Sequence, residues 1–118
     1  MDSYYDNLKK KMDEYVHLVY KISRDFPKEE VFNTTSQLRR SSLSVILNFI
    51  EGYARMREKE NRHFLEISYG SLKESIYLLE FSKDEKFINP NNQKDFDKSL
   101  VLGNEIGAML WGIIKKLR

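Results

Sequence analysis

The chain has 118 residues, 20 Lys and Arg against 18 Asp and Glu, and no cysteine. That length fits one domain, 1–118, and the missing cysteines exclude disulfides and thiolate metal sites. A net charge of +2 is too small to point to nucleic acid by bulk charge, so any basic footprint has to come from where the charges sit. The N-terminal run MDSYYDNLKKKMDEY is charged and no window approaches eighteen uncharged apolar residues, so the expectation is a cytoplasmic protein with no membrane partner.

Hydrophobic residues recur every three and four positions along almost the whole chain, which predicts four helices. In the first, Tyr5, Leu8, Met12, Tyr15, Val19, Ile22 and Phe26 form one stripe that other helices must cover, and Pro27 ends it. The second is expected to begin near Asn33 to Ser36, with Thr34, Thr35 and Ser36 offering N-cap oxygens, and to run to about Met56. The third runs from about Glu58 to Lys86 with Leu65, Ser68, Leu72, Ser75, Leu79 and Ser82 on its seam; Pro90 in the following loop marks the break. The fourth carries Phe96, Leu100, Gly103, Gly107, Leu110, Ile114 and Leu117. Each glycine costs a soluble helix about 1 kcal/mol against alanine, so Gly103 and Gly107 suggest backbones in close approach. Short connections between long helices predict an all-α, antiparallel up-down-up-down four-helix bundle.

The second helix is unusual. Ser41, Ser44, Asn48, Glu51 and Arg55 fall on one polar stripe, while Leu43, Ile46, Ile50 and Tyr53 form a second stripe and Leu38, Val45 and Phe49 part of a third. Two apolar faces cannot both be buried against one side, so the helix is either central to its own bundle or sandwiched between that bundle and another subunit. Arg39, Arg40, Ser44, Asn48, Glu51 and Arg55 are read as a structural polar seam: Glu51 pairs with Arg55 one turn on, and Asn48 and the serines bond across to other backbones. The alternative for Arg39 and Arg40 is an anion site.

An enzyme reading has one foothold. Glu-x-x-His occurs twice, as Glu14 with His17 and Glu60 with His63, and Glu51 and Glu105 lie on the other two helices, the ingredients of a carboxylate-bridged metal bundle. Both pairs lie off their helices' apolar seams, and the two imidazoles would differ in height by roughly 10 Å at 1.5 Å per residue. The expectation is therefore no metal, no cofactor and no catalytic residue, with the metal-binding bundle as the alternative.

Gln37, Leu38, Arg39 and Arg40, followed by Ser44, Asn48, Glu51 and Gly52, resemble the Q-L-R-R-A-x-x-S-I-x-x-N-I-A-E-G signature of the four-helix bundle proteins named after intervening sequences in bacterial 23S rRNA genes. Tyr20, Phe26, Pro27 and Glu30 are similar to that family's approach to helix two, and Arg55, Phe64, Leu65, Gly70, Ser71, Leu72 and Glu74 to its run in helix three. The chain departs from the pattern at Ser41, Ile46, Ile50 and Ser75. The resemblance implies a four-helix bundle that assembles into a ring-like homo-oligomer, a homopentamer, with no established enzymatic activity. The accessory variability determinant proteins of diversity-generating retroelements look like relatives; they form basic pentameric barrels that bind nucleic acid and a reverse transcriptase.

In an up-down-up-down bundle the N-terminus, the second turn and the C-terminus share one end. There Lys9, Lys10, Lys11, Arg55, Arg57, Lys59, Arg62, Lys115, Lys116 and Arg118 face only Asp2, Asp6, Glu58 and Glu60, so that end is +6 and the remainder −4 within the net of +2. These ten are the candidate nucleic-acid-binding residues, for RNA or DNA. Cations near helix C-termini also complement the helix dipole without any partner. The expected function is a ring-forming, non-enzymatic interaction or scaffold protein whose basic rim holds nucleic acid or a nucleic-acid enzyme.

Overall fold

A computed structural model describes residues 3–117, and among them there are four α-helices and no strand. They are α1 (Tyr4–Ser23), α2 (Thr34–Ala54), α3 (Glu58–Asp84) and α4 (Gln93–Ile114), with single 3-10 turns at Lys28–Glu30 and Pro90–Asn92. Ser3 caps α1 by accepting the Asp6 amide at 3.0 Å, satisfying one of the donors that a helix start leaves free.

The main contacts link the helices in the cycle α1, α2, α3, α4 and back to α1. One core runs through all four, with Leu8, Met12, Tyr15, Val19 and Ile22 from α1, Leu38, Val45 and Phe49 from α2, Leu65, Leu72 and Leu79 from α3, and Ile106, Leu110 and Ile114 from α4. The seam of α3 alternates these leucines with Ser68, Ser75 and Ser82, all buried. Small serines let α2 and α3 make the most extensive contact in the molecule. Ser68 donates to the Val45 carbonyl at 2.6 Å, Ser44 and Ser71 share a hydrogen bond at 2.7 Å, and Gly52 lies against Leu65 and Asn61. The only route for a Tyr15 hydroxyl buried this deep is a polar partner, and Ser75 supplies it at 2.7 Å.

Three expectations change. α1 ends at Ser23 rather than at Phe26: the Arg24 amide still donates to the Tyr20 carbonyl at 3.2 Å, but the Phe26 amide turns to the Ser23 carbonyl at 3.2 Å, so the helix tightens and stops ahead of Pro27. The N-cap position of α2 is Asn33, which makes no side-chain cap bond. Glu30 does the capping instead, accepting from the Thr34 amide at 3.4 Å and its hydroxyl at 2.6 Å. Gly103 does not admit a neighbouring backbone. A side chain there would meet Ile76 at 3.0 Å and Tyr15 at 3.4 Å, and at Gly107 it would meet Leu72 at 3.4 Å, so these glycines accommodate side chains.

After α3 the chain turns through Lys86, the one non-glycine residue with positive φ (64°) among the described residues. Phe87 donates to the Ser82 carbonyl and Lys86 to that of Lys83, while Phe87 packs edge-on against Phe81. That is a Schellman end with its hydrophobic contact, and it aims the chain into α4.

Candidate functional site

The polar residues of α2 divide among three places. Ser41 and Asn48 stay within their own helix, Ser41 donating to Leu38 O at 3.1 Å and Asn48 to the Ser44 carbonyl at 2.9 Å and hydroxyl at 2.8 Å. Of Ser41, Ser44 and Asn48, Ser44 alone reaches another helix, through Ser71. The expected cross-helix role of Asn48 is therefore corrected: its reach is filled by the Ser44 one turn back. Glu51 pairs with Arg55 in the exposed last turns, where Arg55 also meets Glu60 at 3.7 Å and stacks over Phe64 at 4.9 Å.

Arg39 and Arg40 part company. Arg40 is exposed. Arg39 is half-buried, donating through Nε to Ser23 Oγ at 2.8 Å and through Nη2 to Tyr20 O at 3.4 Å, with its guanidinium 4.6 Å from the Tyr20 ring centre. A planar, five-donor guanidinium suits this combined stacking and bonding, which a lysine could not reproduce.

On the outer side of α2, Arg40, Leu43, Leu47, Ile50 and Ala54 follow one another at helical spacing. Leu47 is 58% exposed and Ile50 36%, while Leu43 is half-buried and Ala54 exposed. Ile67 of α3 adds a further exposed apolar side chain. No described helix of the chain covers this line.

The start of α1, the end of α2, the start of α3 and the end of α4 meet at one end of the molecule. Tyr5 stacks on Phe49 (5.1 Å) and meets Tyr53 (4.7 Å), and Tyr4 donates to Met109 O at 3.3 Å. Asn61 donates to the Gly52 carbonyl and, at 2.8 Å, to that of Arg55, so it closes the end of α2. Beside it lies a cleft of about 200 Å³ lined in part by Tyr53, Arg55, Leu65, Ile113 and Leu117.

The ten candidate basic residues are not equivalent. Lys9, Lys10, Arg57, Lys59, Lys115 and Lys116 are exposed around this end. Lys11 meets Glu105 at 3.7 Å. Arg62 donates to Leu117 O at 2.7 Å and to Glu66 at 3.4 Å, which makes it a tie between α3 and the chain's last residues. Arg118 lies outside the described residues.

The metal ingredients are dispersed. Glu14 accepts from Lys98 at 2.6 Å and holds that ammonium above its ordinary pKa, His17 bonds the Asp13 carbonyl at 2.8 Å, and Glu60 faces Arg55. Among the described residues no three His, Asp or Glu converge on a point where an ion could sit. No described helix is long and apolar enough to cross a membrane.

Comparison with known proteins places this geometry. The family model described as 23S rRNA-intervening sequence protein matches residues 7–112. A crystal structure from Bacteroides thetaiotaomicron VPI-5482, titled a protein with unknown function from the S23 ribosomal protein family, superposes with a TM-score of 0.83 at 21% identity, covering 96% of this chain and 99% of that one. No curated protein is similar to the chain at a significant level.

Proposed function

This chain belongs to the 23S rRNA-intervening sequence protein family, and on that premise we propose that it is a non-enzymatic subunit that associates with copies of itself and presents its basic end to nucleic acid or to a nucleic-acid enzyme. The observation that carries the reading is the uncovered apolar line Leu43, Leu47, Ile50 and Ala54 on α2. It spans about 16 Å at 1.5 Å per residue. Full burial of an exposed leucine or isoleucine contributes about 1.5–3 kcal/mol, and covering the exposed part of Leu47 and Ile50 gains a share of that. A second copy is the occupant that a ring requires. In this reading the helices form an antiparallel up-down-up-down bundle, the assembly is a homopentameric ring, and its setting is the cytoplasm. The relation to the accessory variability determinant proteins, with their nucleic-acid and reverse-transcriptase partners, belongs to the same proposal.

Repetition around a ring turns a modest patch into a field. The exposed Arg57, Lys59, Lys115 and Lys116 of each copy would line one rim, where they attract a phosphate backbone by releasing its counterions. Nucleic-acid affinity should then fall steeply between low and physiological salt. Arg57→Glu with Lys59→Glu should weaken it without changing the mass of the assembly, and binding that ignores salt would contradict this part of the proposal. Arg62 is left out of that pair because it also anchors Leu117. A non-catalytic role is supported by Glu14, Glu51, Glu60 and Glu105, each engaged by a lysine or arginine.

A further inference from the structure

We propose that the groove between the end of α1 and the start of α2 is an anion site that takes the phosphate group of a small phosphate monoester. The groove lies at the opposite end of the molecule from the basic rim. Its cationic side is Arg24, Lys28 and Arg39, and Phe26, Pro27 and Val31 form an apolar wall around a space of about 420 Å³. That is room for a phosphate carrying one ring or a short chain.

The groove carries uncompensated positive charge. Arg39 is half-buried, yet its guanidinium is held by neutral acceptors, Ser23 Oγ and Tyr20 O, and by the Tyr20 ring. Among the described residues no carboxylate pairs with Arg39, Arg24 or Lys28. The acids nearest in sequence are engaged elsewhere or exposed: Asp25 accepts from Asn92 at 2.9 Å, Glu30 from the Thr34 hydroxyl at 2.6 Å, and Glu29 is exposed. Three cations in one concavity repel each other, and an anion among them relieves that repulsion while gaining charge-assisted hydrogen bonds.

Thr35 adds a hydroxyl donor. It lines the groove, is only 6% exposed, and its hydroxyl makes no hydrogen bond to any described residue. No buried side-chain oxygen among the described residues lacks a partner, so this hydroxyl faces the open groove, where it can donate to a phosphate oxygen. Glu30 already occupies the amino end of α2. Arg39 offers a planar fork suited to phosphate oxygens, and the apolar wall favours an ester over the free ion. The site needs neither the ring nor the nucleic-acid rim.

The test is ¹⁵N NMR titration of the full chain, at low ionic strength, with phenyl phosphate, inorganic phosphate and phenol. The Thr35 amide and the Arg39 Nε–H should shift with phenyl phosphate, less with inorganic phosphate at equal concentration, and not with phenol. Arg24→Glu with Lys28→Glu, both exposed positions, should weaken phenyl phosphate by at least about tenfold at unchanged melting temperature. Arg57→Glu with Lys59→Glu at the other end should leave it unchanged. Equal loss from both pairs, no loss from the first, or the same shifts with phenol would overturn the proposal.

Discussion

The inner side of α2 sets Leu38, Val45 and Phe49 into a closed core, whereas its outer side leaves Leu47 and Ile50 in contact with solvent. The second stripe expected from spacing, Leu43, Ile46, Ile50 and Tyr53, is split: Ile46 packs against the core and Tyr53 against Tyr5, which leaves Leu43 and Ile50 with Leu47 on the outer side. The two sides differ in what lies opposite. The inner side meets the leucine and serine seam of α3 and the stripe of α1, with polar atoms paired by Ser68 and Ser75. On the outer side no described residue of this chain closes over Leu47 and Ile50. Apolar periodicity thus reports that a face is to be covered and leaves open whether the cover comes from the same molecule.

The largest effect should come from breaking the inner side. Phe49→Ala removes a fully buried ring that stacks on Tyr5, and should cost about 3–5 kcal/mol of unfolding free energy in a urea titration. Next is the polar core that the inner side encloses. Burial pushes the Tyr15 hydroxyl well above its ordinary pKa, only partly opposed by Ser75. The unfolded chain releases that proton near pH 10 while the folded chain keeps it, so stability is intact below that pH and falls above it by about 1.4 kcal/mol per unit. Tyr15→Phe should flatten the part of the slope that Tyr15 contributes, measured as melting temperature from pH 9 to 11. A smaller effect, of opposite sign and outside both faces, is expected at the end of α3. Lys86→Gly relieves a left-handed backbone and should stabilise the fold by about 0.5–1 kcal/mol, which sets a scale for changes that touch neither side.

Much of this was legible in the sequence. The stripe from Leu8 to Phe26 is buried, as is the alternation of leucine and serine from Leu65 to Ser82. One helix's periodicity contains that information. Partners across helices were not legible, because they depend on how far each helix is rotated and slid against the next. Ser44 meets Ser71, Asn61 closes α2, and Arg39 takes the end of α1, none of which any spacing encodes. The polar stripe of α2 misled for the same reason: at 3,4 spacing it reads as one seam, yet Asn48 and Ser41 spend their bonds inside their own helix. The groove with Arg24, Lys28 and Thr35 draws on α1, a 3-10 turn and α2 together, so no local pattern signals it.

The most direct measurement is the mass in solution by light scattering across micromolar concentrations, for the native chain and for Leu47→Glu with Ile50→Glu. The native chain is expected to be a stable homo-oligomer with a melting temperature that rises with concentration. The variant is expected to be a folded monomer of unchanged helical content, whose melting temperature no longer depends on concentration. A native chain that stays monomeric, or a variant that keeps the native mass, would contradict the claim that the outer side of α2 is covered by another copy.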